Sequence, residues 1–188
     1  MKKRNALLAG FLWVIAMTSL MTGCNSQKPS TVGVQRYPIN EALFYSPTMQ
    51  DRFYDTPVRV SNDRYGTHLG ISTDLLFKGQ ENPTENPTLD PLLYPTLNQI
   101  VEVIELYPTR HVTVAGFTDD LLTPQQQVIM SEKYARIVAD YLVSQGVKPS
   151  QIITVRGEGT RNAIAENDDY KGRAANRRVE IIIHAQID

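Results

Sequence analysis

The chain has 188 residues, of which 41% are hydrophobic and 21% are charged, so one domain of ordinary size and some additional segments fit, whereas two full domains would be crowded. Its 19 basic and 20 acidic side chains give a formal net charge of −1. Nucleic-acid-binding proteins usually carry a concentrated basic surplus, so the composition argues against that class.

The first 24 residues follow the plan of a secretory signal. Three basic residues at positions 2–4 precede an apolar run from Ala6 to Met21, interrupted only by small or weakly polar residues. An uncleaved membrane anchor is the alternative, but about 16 residues is short of the roughly 20 that span a bilayer. Cys24, the only cysteine, follows directly, and a lone thiol in an exported protein cannot form an internal disulfide.

The residues around Cys24 resemble a bacterial lipobox, in which small residues precede a cysteine that is acylated and becomes the new N-terminus. Met21 stands where Leu is most common. The resemblance implies that residues 1–23 are removed and that Cys24 carries a diacylglyceryl thioether and an N-acyl chain such as palmitate, which hold a protein stably to a membrane. Asn25, rather than Asp, favours the outer membrane. Loss of residues 1–23 removes three positive charges and leaves a net charge of −4 on a periplasmic protein.

Residues 24–67 are predicted to form a lipidated tether and an aromatic-rich extension. Ser26–Thr31 is polar and typical of a flexible linker. Two interpretations of the aromatic residues stay open: they pack on the domain as anchors, or they form a docking segment for a partner protein. The residues concerned are Tyr37, Phe44, Tyr45, Phe53, Tyr54 and Tyr65.

The first half of the predicted domain, which spans residues 68–188, contains a strand and a helix. His68–Phe77 is predicted as the first strand, and the Asn-Pro steps of residues 81–88 predict a loop. Apolar residues then recur at helical spacing from Leu93 to Tyr107. Asp90-Pro91 is a plausible start, but Pro95 removes a backbone bond, so regular helix is expected only from there. The predicted inward residues are Leu93, Leu97, Ile100, Ile104 and Tyr107.

The second half continues with an alternating, half-buried strand over Arg110–Gly116. Thr123-Pro124-Gln125-Gln126 carries a capping-box pattern, so a helix is predicted from Pro124 to a left-handed stop at Gly146. Its predicted inward residues are Val128, Ser131, Ala135, Val138 and Leu142. Two more strands follow, at Ile152–Val155 and Val179–His184. The order predicts a two-layer α/β domain with a βαβαββ arrangement and parallel pairing somewhere in its sheet.

The adjacent acids Asp119 and Asp120, at the end of the Arg110–Gly116 strand, raise the question of catalysis. Neighbouring residues at a strand end tend to point apart, and no nucleophile accompanies them. The three histidines lie on separate elements without metal-ligand spacing, so no enzyme, metal or cofactor is predicted. Asp119 can instead pair with a ligand's ammonium group while arginines before the last strand take carboxylates. The alternative is that Asp119 caps the turn and the arginines form a solvated surface.

Four segments resemble, in order and spacing, the OmpA-like C-terminal domain of Pal lipoproteins, OmpA tails and MotB stators. They read VAGFTDD, SEKYARIVADYLVSQGV, GEGTRNAIAEN and KGRAANRRVEII, and the resemblance covers roughly residues 70–185. The Gly172–Glu180 run is the most specific of them. The resemblance implies a mixed sheet with helices on one face and non-covalent binding to peptidoglycan through the diaminopimelate of its stem peptide.

The resemblance also implies a set of ligand-binding residues. The family aspartate that holds the ammonium is matched by Asp119, beside Thr118, with Phe117 in place of a histidine. The family arginine fifteen residues later, which takes a carboxylate, is matched by Tyr134. Gln127 matches a family asparagine. The last motif adds Asn176 and Arg177, and Lys133 and Arg178 are further candidates for the missing positive charge.

The sequence thus leaves two functional hypotheses. In the first, an outer-membrane lipoprotein binds peptidoglycan and anchors an envelope complex to the cell wall. In the second, the site has weakened or been lost and the domain is a structural subunit of a secretion-system outer-membrane complex. The first is the leading hypothesis. The exchange at Tyr134 and the extension motivate the second, and the size and layout resemble OmpA-like lipoproteins of Dot/Icm type IVB secretion core complexes.

Overall fold

The computed structural model describes residues 47–78 and 86–186, which form a mixed five-stranded sheet. In spatial order the strands are β1 (Arg59–Asp63), β2 (Gly66–Ser72), β7 (Arg178–His184), β5 (Val112–Phe117) and β6 (Ile152–Gly157). Only the β5–β6 pair is parallel; the other neighbours are antiparallel. The α/β fold with a mixed sheet, predicted from the sequence, is confirmed.

The N-terminal part of the described chain belongs to this fold. α1 (Pro47–Arg52) leads into β1, and Met49 and Phe53 are buried in the hydrophobic core. β1 pairs with β2 along its whole length, so the domain boundary predicted at His68 lies inside this hairpin. Among the aromatic residues of the extension, Phe53 acts as an anchor, whereas Tyr54 and Tyr65 are exposed. Tyr37, Phe44 and Tyr45, like Cys24, lie outside the described residues.

The strand predicted over His68–Phe77 is wrong in its second half. β2 ends at Ser72, whose hydroxyl accepts a hydrogen bond from the Asp74 N–H and begins the single turn of α2 (Thr73–Leu76). Phe77–Lys78 (β3) then pairs with Thr88–Leu89 (β4) in a separate two-stranded ribbon. The serine side chain that caps the backbone therefore ends the strand, although the apolar pattern predicts that the strand continues.

The first long helix, α3 (Tyr94–Glu105), begins as predicted. Asp90 caps a 3₁₀ turn at Pro91–Leu93, and Pro95 lies in the first turn of the regular helix, where its missing N–H costs nothing. The predicted inward residues Leu97, Ile100 and Ile104 are fully buried, while Leu93 and Tyr107 are partly buried against the core.

The second long helix, α4 (Pro124–Ser144), has the predicted capping box and ends before Gly146, whose φ is +121°. Its buried face differs from the prediction at the N-terminal end. Val128 is 40% exposed, and Gln127 and Tyr134 are buried instead. The helix backbone at Val128 and Ser131 lies directly against Gly157 and Gly116, where a Cβ would come within 2.3 Å and 1.9 Å of the two carbonyl oxygens.

The central strand β5 is buried at every position, not half-buried as predicted. One face carries Val112 and Val114 into the core beneath the helices. On the other face the Arg178 guanidinium lies 3.8 Å from the Phe117 ring centroid, and Thr113 is hydrogen-bonded to His184. No helix within the described ranges is long and apolar enough to cross a membrane.

Candidate ligand-binding site

The end of β5 places Thr118 and Asp119 in the interior. The Thr118 N–H donates to the Gly159 carbonyl, which fixes this turn to the loop after β6. Asp119 is 5% exposed, and its Oδ1 accepts a hydrogen bond of 3.2 Å from the Leu121 N–H. The Thr118 hydroxyl is also buried, and it has no hydrogen-bond partner among the described residues.

Arg177 bridges two carboxylates at this point. It follows α5 (Tyr170–Asn176), and its Nη1 donates to Asp119 Oδ2 at 2.7 Å. Its Nε and Nη2 donate to the two oxygens of Asp74 at 2.8 and 2.6 Å, a bidentate pair. The hydrogen bonds to Asp74, followed by those to Asp119, raise the pKa of Arg177 against the effect of its partial burial. The side chain is therefore permanently charged and held from two sides.

These residues enclose a pocket of about 180 Å³, which we call the Asp119 pocket. Its described lining residues are Thr73, Phe117, Thr118, Asp119, Leu121, Leu122, Met130, Tyr134 and Arg177. Tyr134 packs against Phe77 with ring centroids 4.7 Å apart. Burial, and then the negative charge of Asp74, raise the pKa of Tyr134, so its phenol is neutral at physiological pH.

Not every residue predicted for the site lines the pocket. Asn176 is fully buried; its side chain accepts from the Ile164 and Ala165 N–H groups and donates to the Ala165 carbonyl and to Asn167. Asn176 does not line the Asp119 pocket, because its hydrogen-bonding atoms hold the loop before α5. Gln127 similarly donates to the Leu122 carbonyl at 2.7 Å and positions the turn beside the pocket.

Arg178, one of the candidates for the missing positive charge, lies on the opposite face of the sheet. It pairs with Glu180 at 2.6 Å and donates to the Asn162 carbonyl. Lys133 lies on α4, three residues after the lining residue Met130, but does not itself line the pocket. Of the candidates, only Arg177 reaches Asp119.

Asp74 is the site residue that sequence reasoning missed. It lies 103 residues before Arg177, within the segment predicted as a continuous strand. Its local signal was Ser72-Thr73-Asp74, a capping pattern that ends a strand and begins a helical turn.

The histidines occupy a separate part of the molecule. His68 Nδ1 lies 3.1 Å from Glu180 Oε2, and His68 Nε2 lies 3.2 Å from Asp63 Oδ1, an ion-pair distance without hydrogen-bond alignment. Within residues 47–78 and 86–186, no group of three or more His, Cys, Asp or Glu side chains is arranged to hold a metal ion.

The structure is a mixed α/β domain with an acid–guanidinium pair, Asp119 and Arg177, at the end of its central strand. The chain belongs to the OmpA family, whose model matches residues 83–177. It is similar to the peptidoglycan-binding protein ArfA of Mycobacterium tuberculosis (strain ATCC 25618 / H37Rv), with 42% identity over 88 residues, which are 47% of this chain and 27% of ArfA. The probable lipoprotein YiaD of Escherichia coli (strain K12) is 40% identical over 88 residues, 47% of this chain and 40% of YiaD.

Among solved structures, the periplasmic domain of Helicobacter pylori MotB (residues 78–256) superposes with a TM-score of 0.58 at 27% identity. The match covers 69% of this chain and 83% of that domain. This chain spans well under half the length of the two curated relatives, at 27% and 40% of their lengths. The comparisons therefore concern the OmpA-like domain.

Proposed function

We propose that this protein is an outer-membrane lipoprotein whose periplasmic OmpA-like domain binds peptidoglycan non-covalently and anchors an envelope complex to the cell wall. In this proposal residues 1–23 are a signal peptide, Cys24 carries the lipid, residues 24–67 begin as a tether, and the ligand is the diaminopimelate of the stem peptide. Similarity to a peptidoglycan-binding protein and to a probable lipoprotein supports the proposal.

The observation that carries it is the state of Asp119. An ionised carboxylate has about four acceptor positions. Leu121 N–H and Arg177 use one each, on different oxygens. Asp119 thus has acceptor capacity for an ammonium group without losing Arg177. Thr118 and Tyr134, which both carry hydroxyl groups, line the same pocket, and Gln127 supports the turn that carries the aspartate.

The test is retention of the full chain, purified in detergent, on isolated sacculi, with Asp119→Ala compared with Asp120→Ala. Asp120 is the exposed neighbour of Asp119, so its loss changes the same net charge at the same place along the chain. We expect Asp119→Ala to reduce retention at least about tenfold, the scale of a lost charge-assisted hydrogen bond, and Asp120→Ala to bind normally. Arg177 keeps its bidentate partner Asp74 in Asp119→Ala, so the fold is expected to persist.

Equal retention of the two variants, with both folded by circular dichroism, would refute the role of Asp119. The lipid anchor is tested separately: Cys24→Ser is expected to lose labelling by radioactive palmitate. Retention of the label in Cys24→Ser would contradict the anchor while leaving the wall-binding proposal untouched.

A second candidate function is favoured by the internal pairing of Asp119 with Arg177, together with a neutral Tyr134. In it, the domain is a structural subunit of a secretion-system outer-membrane complex whose peptidoglycan site is weak or lost. Deleting residues 37–46 tests it, since this removes three aromatic residues of the extension and leaves α1 and β1 in place. Loss of a co-purifying envelope complex without loss of sacculus binding would favour this candidate, and an intact complex would count against it.

A further inference from the structure

The Asp119 pocket is electrostatically unbalanced. One guanidinium, Arg177, contacts two carboxylates: Asp119, which lines the pocket, and Asp74, which lies beside the lining residues. Arg177 is the only basic side chain among the described residues that line the pocket. Tyr134 is the remaining ionisable residue among those that line the pocket, and its raised pKa keeps its phenol neutral. The pocket therefore accommodates one additional positive charge and has no cation in surplus for an additional negative charge.

The geometry of Arg177 strengthens this asymmetry. Three of its five N–H groups are directed at carboxylate oxygens between 2.6 and 2.8 Å away. A ligand carboxylate entering the pocket would meet a guanidinium that two carboxylates already share, and it would add a third negative charge around that single cation. Each of these pairs is a charge-assisted contact in a partly buried site, where leaving a charge unpaired is costly.

Neutral hydrogen-bonding groups, in contrast, are available. The Thr118 hydroxyl is 94% buried with its residue and has no partner among the described residues, so it can both donate and accept. The Tyr134 phenol lines the same pocket. A carboxamide offers donors and an acceptor to two hydroxyl groups, whereas a carboxylate offers acceptors alone and brings a negative charge towards Asp119.

We propose that the Asp119 pocket selects a diamino-acid end in which the ammonium group is free and the neighbouring carboxyl group is amidated. On peptidoglycan this is a stem peptide whose diaminopimelate side chain ends in a carboxamide. This selectivity rests on the proposed function. Asp119 binds the ammonium group, Thr118 and Tyr134 bind the carboxamide, and Asp74 keeps Arg177 from attracting a free carboxylate.

The test is isothermal titration of the full chain, purified in detergent, with two tripeptides, L-alanyl-γ-D-glutamyl-meso-diaminopimelate and the same peptide amidated at the side-chain carboxyl group. We expect the amide to bind about tenfold more tightly, as for removal of one uncompensated charge from a partly buried site. Tyr134→Arg should reverse the preference because it supplies a cation. Tyr134→Phe, the matched control, stays neutral and should keep the preference while weakening both ligands.

Asp74→Asn gives the same comparison at a more exposed position, so it covers the case in which Tyr134→Arg does not fold. Releasing Arg177 from one carboxylate should narrow the preference for the amide by several-fold. If the unaltered protein bound the free acid as tightly as the amide or more tightly, the selectivity would be overturned and the proposed function would stand. If it bound neither tripeptide and no sacculi, both would be overturned.

Discussion

A close approach between strand and helix backbones fixes the position of the Asp119 pocket, and Gly116→Ala tests it. A Cβ at Gly116 would lie 1.9 Å from the Ser131 carbonyl oxygen and 2.7 Å from its carbon, both backbone atoms of α4. Relief of that overlap requires the strand or the helix to move by about 1 Å, since ordinary contacts of this kind are longer than 3 Å. Neither can move alone, because Glu158 N–H donates to the Gly116 carbonyl and Gly159 N–H donates to the Ser131 hydroxyl.

Two lost hydrogen bonds at about 1 kcal/mol each, added to an overpacking cost of about 1–3 kcal/mol, give a decrease of about 3–5 kcal/mol in the free energy of unfolding. Gly70→Ala is the matched control, since a Cβ there meets nothing closer than 3.8 Å and should change stability by less than about 1 kcal/mol. Urea unfolding followed by circular dichroism at 222 nm measures both. A Gly116→Ala loss below about 1 kcal/mol, or equal to that of Gly70→Ala, would refute the reasoning.

Two further predictions concern the opposite face of the sheet and the loop before α5. The hydrogen bond to Glu180 raises the pKa of His68 against desolvation, so its stabilising contribution is complete below the ordinary value of 6.5 and is lost as pH rises through the higher folded-state pKa. The stability advantage of the unaltered protein over His68→Gln should therefore shrink as pH rises above 6.5 in urea titrations, and a constant difference would contradict it. Asn176→Ala should lower the free energy of unfolding by about 2–4 kcal/mol, because it leaves the Ile164 and Ala165 N–H groups without their acceptor, yet folded protein should bind sacculi normally. Folded but non-binding Asn176→Ala protein would restore this residue to the ligand site.

Local patterns predicted most of the fold because local physics decides it. The capping box at Thr123, the proline at position 95 and the glycine at position 146 each act within a few residues, and they account for the start of α3 and for both ends of α4. The alternating pattern of β5 led to one wrong prediction, that the strand is half-buried. Periodicity shows which residues face the helices, but it does not show that Arg178 covers Phe117 on the other face.

The candidate site was predictable only at positions that each fall in a recognisable motif. Asp119, Tyr134 and Arg177 were identified and do share the pocket. Asn176 stands in the same motif as Arg177 but points into the loop, because adjacent residues at the end of a helix face different sides. Asp74 was not predicted because its ion pair with Arg177 joins residues 103 positions apart, and a local sequence pattern does not indicate such a contact.

Asp74 changes what the exchange at position 134 means. Considered alone, a tyrosine in place of an arginine indicates a weakened site, because a neutral phenol cannot make a charge-assisted pair. Asp74, however, holds Arg177 through two hydrogen bonds. An arginine at position 134 would add a second cation beside Asp74 and Asp119, which now share one guanidinium. That second cation could pair with a carboxylate of the ligand. Tyr134 leaves those carboxylates in excess and buries its ring against Phe77. The same residue can therefore mark a change of ligand charge, and the two tripeptides distinguish that change from loss of binding.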